Sequence, residues 1–156
     1  MKKMFYLLIA ALPIMAIAFA SCSNDDDLPN VDISLDVSEG TVVDDTIYVV
    51  QGDSLVISGI TVTNNEEGKA ATVTNVNYYW DGYFMGPSIF SPFGFAISTE
   101  NVSVGIHTIG VTCTVLAVDK SIATAALSFP VRVVESTTDL PEADASAVHG
   151  LARLKL

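Results

Sequence analysis

Residues 106–134 read IHTIGVTCTVLAVDKSIATAALSFPVRVV, and this stretch predicts the fold of the chain. Apolar and polar residues alternate along 106–118 and again along 122–134, which is the period of a half-buried β-strand. The tripeptide Asp119-Lys120-Ser121 separates the two runs and predicts a turn. Pro130 has no backbone N–H, so we expect it to face outward or to lie at a sheet edge. The stretch therefore predicts two long strands that pack one face on a core.

The same alternation recurs in shorter segments toward the N-terminus, separated by turn residues such as Asp81-Gly82. The further strands that it predicts are 31–38, 46–50, 54–62, 73–80, 83–85 and 93–98. No segment between them has a helical period. About seven to nine short strands over residues 31–135 predict a single all-β sandwich domain.

Four short motifs in these strands resemble immunoglobulin-like modules of the bacterial Ig or PKD type. They are VNYYWDG at 76–82, Pro92-Phe93, GIHTIGV at 105–111 and PVRVV at 130–134. In that family they are a central strand with its Asp-Gly turn, a Pro-Phe strand start, a Gly-x-His/Tyr strand start and the last strand. The resemblance implies an immunoglobulin-like β-sandwich of about seven to nine strands.

The resemblance also bears on three core and corner residues. In antibody-type domains a cysteine on the penultimate strand pairs with one on the second strand, where this chain has Leu55 and Ile57. Cys113 is therefore interpreted as a small core residue, the alternative being a reactive or intermolecular thiol. We expect Trp80 to be buried near it. His107 is expected to hydrogen-bond a neighbouring turn, with a general base as the alternative.

The N-terminus predicts export. Lys2 and Lys3 precede an apolar run over residues 4–20, which is the layout of a secretory signal peptide. The small residues before Cys22 make it resemble a lipoprotein signal, although Phe19 stands where that family usually has Leu. The resemblance implies a signal peptide at 1–21 and a lipidated Cys22 that anchors the protein to a membrane. The alternatives are an ordinary signal peptide with an incidental Cys22 and a retained membrane span.

Residues 22–30 are expected to form an acidic tether. The run Ser23-Asn24-Asp25-Asp26-Asp27 resembles the export signal of Bacteroidota-type surface lipoproteins. It implies an outer-membrane, lipid-anchored protein exposed at the cell surface. The alternative is a solvated spacer on an anchor that faces the periplasm.

Charge excludes one class of partner. Without residues 1–21 the chain loses Lys2 and Lys3, and retains five basic and 18 acidic side chains, a net charge of −13. Such a surface repels phosphate backbones, so we expect no nucleic-acid binding. It also repels anionic lipid surfaces as a whole.

Catalysis and metal binding have little support in the sequence, and we expect no enzyme, no cofactor and no metal. The chain has two histidines, His107 and His149, and none of the common nucleophile, zinc or phosphate-loop motifs. Asp44, Asp45 and Asp53 flank one short strand, and a calcium site at the end of the sandwich is the alternative that they leave open.

Aromatic residues are concentrated in one region. Eight of the 13 aromatic residues are Tyr78, Tyr79, Trp80, Tyr83, Phe84, Phe90, Phe93 and Phe95. Alternation assigns Tyr78 and Trp80 to the core. Tyr79, Tyr83, Phe84 and Phe90 remain as candidate ligand-binding residues on an exposed platform, which would suit a sugar ring or a protein partner. The alternative is that they pack within the domain.

The C-terminal region 136–156 is expected to be a linker followed by a flexible or short helical tail, with a partner-docking segment as the alternative. Together these features predict a non-enzymatic, lipid-anchored envelope protein. Its immunoglobulin-like module would bind or present a glycan or protein partner at the cell surface. The alternative is a structural spacer subunit of an envelope complex that faces the periplasm.

Overall fold

A computed structural model describes residues 28–156 of the 156-residue chain. The predicted signal peptide 1–21, the lipidation at Cys22 and most of the tether 22–30 lie outside the described residues. Within the described part the chain forms eleven strands and no α-helix. They are β1 (Val31–Glu39), β2 (Thr41–Val43), β3 (Thr46–Val50), β4 (Ser54–Asn64), β5 (Ala71–Trp80), β6 (Tyr83–Ser88), β7 (Phe95–Ser98), β8 (Gly105–Ala117), β9 (Ala123–Val134), β10 (Ala147–His149) and β11 (Leu151–Lys155).

The strands form two sheets. One has the order β10-β1-β4-β7, and the other has the order β2-β3-β9-β8-β5-β6, with β11 pairing β9 as well. Strands β1, β4 and β7 thus oppose β9, β8, β5 and β6, and β3 runs parallel to β9. This distribution of sequential strands between two sheets is the immunoglobulin-like arrangement, so the predicted all-β sandwich is confirmed. The number of strands exceeds the predicted seven to nine because β2, β10 and β11 were not expected.

The core lies between the sheets and follows the alternation of the sequence. Along β9 every second residue from Ala123 to Val133 is buried, while the intervening side chains are exposed. Pro130 is exposed, and it falls between Ser128, where pairing with β11 ends, and Val131, where pairing with β3 begins. The largest fully buried side chains are Tyr78, Phe129, Leu35, Ile47, Leu55, Ile57 and Ile109.

The C-terminal region corrects the prediction of a flexible or helical tail for 136–156. After a short 3-10 turn at Thr137–Asp139, the chain stays on the sandwich, where the Val37 N–H donates to the Ser146 carbonyl at 2.7 Å. β10 then pairs with β1, and β11 pairs with β9. The physical reason is that these two strands offer unpaired backbone groups, which the tail satisfies while Val148 fills the core.

Gly150 allows the tail to cross from one sheet to the other. A Cβ atom at this position would lie only 2.6 Å from the ring of the buried Phe129, so only glycine fits without a shift of that ring. The tail therefore covers the open side of the sandwich along β1 and β9.

Candidate functional site

Five large apolar side chains on β6 and the loop that follows it are exposed. Exposure reaches 77% for Tyr83, 60% for Phe84 and 78% for Phe90, and Met85 and Ile89 between them are also exposed. We call these five residues the aromatic edge. β6 is the last strand of its sheet in the described part of the chain, with β5 as its neighbour. Exposed apolar side chains that are concentrated in one region are typical of interaction surfaces.

A two-residue turn at Asp81 and Gly82 determines which aromatic residues share a face. Both residues have positive φ, 47° and 83°, as a tight hairpin turn with this sequence requires. The turn brings Trp80 opposite Tyr83 and Tyr79 opposite Phe84. Because directly opposed residues point to the same side of a sheet, Tyr79 and Tyr83 belong to opposite faces. They therefore do not form one flat platform together.

Tyr79 belongs to a different environment from the aromatic edge. Its ring meets that of Phe84 edge-on, with centroids 5.7 Å apart, and it is half-buried. Gly110 on β8 lies directly under it, since a Cβ there would be 3.3 Å from the Tyr79 Cβ. Of the four predicted ligand-binding residues, the structure thus leaves Tyr83, Phe84 and Phe90 open, with Tyr79 supporting Phe84 from the sheet.

The backbone of β6 is interrupted in the middle. The pairing with β5 shifts register between Tyr78 and Tyr79, which leaves Met85 as an extra residue beside the pairs Tyr78–Gly86 and Tyr79–Phe84. Pro87 follows, and it has no N–H to offer. A bulge and a proline are devices by which edge strands resist pairing with another chain. The aromatic edge therefore presents side chains rather than an open strand.

The loop that carries Phe90 is held to the other sheet. The Ile60 N–H donates to the Pro92 carbonyl at 2.9 Å, and the Tyr78 hydroxyl donates to the Phe93 carbonyl at 2.6 Å. Gly59 permits this approach, because a Cβ at that position would lie 3.0 Å from Pro92. Phe90 is therefore exposed on a loop whose backbone is anchored in the core.

Trp80 and Cys113 are both buried in the core, but they are not neighbours as expected. Trp80 pairs with Ile109, which lies four residues before Cys113 on β8, roughly 13 Å along a strand. Its ring lies near that of His107, with centroids 5.2 Å apart. Burial raises the pKa of the Cys113 thiol to about 11.

His107 joins the start of β8 to the β5–β6 turn. Its Nδ1 lies 2.7 Å from Oδ2 of Asp81, and its Nε2 lies 2.8 Å from the Ser103 carbonyl oxygen. The other carboxylate oxygen of Asp81 accepts the Thr108 N–H at 2.8 Å. One ring nitrogen thus holds the turn and the other holds the loop before β8, which is the corner role expected for this residue.

The calcium alternative concerns Asp44, Asp45 and Asp53. In the part of the chain that the structure describes, no three His, Cys, Asp or Glu side chains converge on one point. Asp45 instead accepts the backbone N–H of His149 at 3.2 Å, and Asp144 accepts that of Asp44 at 3.4 Å. Asp53 lies in a separate turn, where its carbonyl oxygen contacts Thr99. The calcium alternative for Asp44, Asp45 and Asp53 therefore finds no support in their geometry.

No family model matches this chain, and no curated protein is similar to it in sequence. Among solved structures, it is similar to one described as "Structures of Clostridium thermocellum CbhA fibronectin(III)-like modules". The identity is 17%, and the match covers 67% of this chain and 98% of that chain with a TM-score of 0.42. The class of the protein, an all-β sandwich with an immunoglobulin-like arrangement, rests on its own strand order.

Proposed function

We propose that this protein is a non-enzymatic, lipid-anchored outer-membrane protein that uses its immunoglobulin-like module to bind a partner protein at the cell surface. The observation that carries this proposal is the aromatic edge. Tyr83, Phe84 and Phe90 are exposed although large apolar side chains are costly to leave in water. Their backbone is held by pairing to β5 and by the anchored loop, so the surface is already ordered before a partner arrives.

The composition of the aromatic edge favours a protein over a glycan. Sugar rings stack on flat aromatic faces, whereas Met85 and Ile89 have none, and the aromatic residues lie on different faces of the hairpin. Mixed aromatic and aliphatic side chains, Met among them, are typical of the centres of protein–protein interfaces. A glycan partner is therefore the second outcome of the test below.

The anchoring part of the proposal rests on the sequence. Lipidation of Cys22 would hold the protein at a bilayer through acyl chains, since two or more chains give stable attachment. The acidic residues after Cys22 support transfer to the cell surface. Among residues 28–156 there is no helix long and apolar enough to cross a membrane.

Site-specific photocrosslinking on intact cells tests the binding function. A photoreactive phenylalanine analogue replaces Phe84 in one full-length variant and Ile106 in a matched control, since both residues are exposed and apolar. Ile106 starts β8 and is outside the aromatic edge. We expect a discrete protein adduct from position 84 and none from position 106. Tyr83→Ser combined with Phe90→Ser should abolish the adduct at 84 while leaving the fold intact.

Other results would redirect the proposal. Binding to a glycan array that the same double substitution abolishes, with no protein adduct, would favour a glycan partner. Neither adduct nor glycan binding would contradict the binding function and leave the spacer alternative.

A further inference from the structure

The positive charges of the exported chain are gathered at one end of the sandwich. Outside the predicted signal peptide the chain has five basic residues. Four of them lie at or next to the end where β4 passes into β5 and β8 into β9; they are Lys69, Lys120, Arg153 and Lys155, and we call this region the basic end. The fifth, Arg132, pairs with Ile106 at the opposite end.

Ion pairs and backbone hydrogen bonds connect the loops of the basic end. Lys69 and Lys120 contact the two carboxylate oxygens of Glu66 at 2.9 and 2.6 Å. The Val118 N–H donates to the Ala70 carbonyl at 3.2 Å, which links the turn after β8 to the loop before β5. The basic end is thus a single surface that joins both sheets.

Apolar side chains are exposed on the same surface. Val118 and Ile122, on either side of the β8–β9 turn, are 49% and 67% exposed, and Leu156 beyond the end of β11 is 69% exposed. Ala70, Ala71, Leu116 and Ala117 line a shallow groove beside Val118. Basic side chains around exposed aliphatic residues are the composition of surfaces that lie at a membrane interface.

The chain enters the sandwich at this end. Asn30, just before β1, is joined to Asn65 by two hydrogen bonds, one between backbone atoms at 2.9 Å and one between side chains at 3.1 Å. Only five residues lie between Cys22 and Leu28, the first residue that the structure describes, and so short a segment spans at most about 20 Å. A lipid on Cys22 would therefore keep the bilayer within reach of the basic end.

We propose that the basic end is a membrane-contact surface, on which the sandwich stands against the anionic headgroups with Val118 and Ile122 in the interface. This inference rests on the anchoring proposed above. The acids Asp32, Glu66, Glu67 and Asp119 share the basic end and balance its four basic residues, so the net charge of −13 lies elsewhere in the exported chain. Asp53, Asp81 and Glu100 lie at the opposite end, which an anionic bilayer repels. Electrostatic repulsion from the bilayer is therefore weakest when the basic end faces the lipid.

Fluorescence at single cysteines tests the orientation. Ile122→Cys and, as the matched control at the far end, Ile106→Cys are made in the full-length acylated protein and labelled with an environment-sensitive maleimide dye. Cys113 is buried and does not compete for the label. The protein is reconstituted into vesicles of phosphatidylethanolamine and phosphatidylglycerol, with and without brominated acyl chains. We expect a blue shift and bromine quenching at position 122 and neither at position 106.

The possible results separate this inference from the anchoring on which it rests. Flotation with the vesicles but equal, solvent-like emission at both positions would overturn the membrane contact and leave the anchor intact. Quenching at both positions would also overturn it, because the module would then lie on its side. Failure to float would overturn the anchor and the contact together. Val118→Cys repeats the test if the variant at 122 does not fold.

Discussion

The imidazole of His107 lies between two oxygen acceptors, Oδ2 of Asp81 at 2.7 Å from Nδ1 and the Ser103 carbonyl at 2.8 Å from Nε2. A neutral imidazole has one N–H and satisfies only one of them, whereas the imidazolium satisfies both. Burial of the ring lowers the pKa of His107, but the hydrogen bonds to Asp81 and Ser103 outweigh it, so that the pKa is raised. The β5–β6 turn is therefore held best by a charged histidine.

This arrangement predicts that stability depends on pH. A raised pKa in the folded state contributes stability that is fully present below the unfolded value of about 6.5. That contribution is lost as pH rises through the raised folded pKa of His107. We expect the free energy of unfolding, measured by chemical denaturation, to fall across this interval. Asp81→Asn keeps an acceptor for the Thr108 N–H but removes the charge, so it should flatten the dependence. An unchanged slope in that variant would contradict the assignment.

Trp80→Ala should strongly destabilise the module. The side chain is buried at the end of β5, and truncation of a buried tryptophan costs about 3–5 kcal/mol. Tyr83→Ala is the matched control, because Tyr83 directly opposes Trp80 across the turn yet is exposed. It should change stability by no more than about 0.5 kcal/mol. Equal losses in the two variants, measured by denaturant unfolding, would mean that Tyr83 is packed and that the aromatic edge is not free.

Gly150→Ala tests the docking of the C-terminal tail. The new methyl group would press on the ring of Phe129, and overpacking of this kind costs about 1–3 kcal/mol. Lys155→Ala, an exposed position on β11, should leave the unfolding free energy within about 0.5 kcal/mol of the parent protein. If both variants are equally stable, the tail does not pack on the sandwich as described.

Cys22→Ala should release the protein from membranes. The proposed acyl chains would be lost, and their contribution of about 0.8 kcal/mol per buried CH₂ with them. Cys113→Ala is the control, because Cys113 is buried in the core and should not affect attachment. Membrane and soluble fractions of cells that express each variant give the measurement. A processed Cys22→Ala protein that stays in the membrane fraction would show that acylation is not what holds it.

Sequence patterns predicted the central strands well. Strands were expected at 106–118 and 122–134, and the structure has β8 at Gly105–Ala117 and β9 at Ala123–Val134. Both strands are long and buried on one face, so the alternation of apolar and polar residues indicates which side chains face the core. The tail lacked such a signal, because β10 and β11 are three and five residues long and depend on partners more than 20 residues distant.

The candidate site was predicted only in part. The exposure of Tyr83, Phe84 and Phe90 agrees with the expected aromatic surface, but Tyr79 and Tyr83 are on opposite faces. The two-residue turn at Asp81-Gly82 indicates this separation, since such a turn pairs residue 80 with 83 and residue 79 with 84. The exposure of Met85 had no comparable signal, because the bulge there interrupts the alternation. The basic end could not be predicted from the sequence, since its charged residues come together only through the folded topology.

The pairing of β10 with β1 also constrains how fast the domain can form. β1 is the first strand of the sandwich, and its residues Ser34–Asp36 pair with Ala147–His149, more than 100 residues later. β3 likewise cannot form its parallel pairing until β9 is present. Such long loops must close before any contact compensates for the lost chain entropy, and this requirement slows folding. Sandwiches of this kind therefore fold in milliseconds to seconds rather than microseconds. A chain emerging N-terminus first therefore stays incomplete, with β1 unpaired along one side, until its last ten residues have arrived.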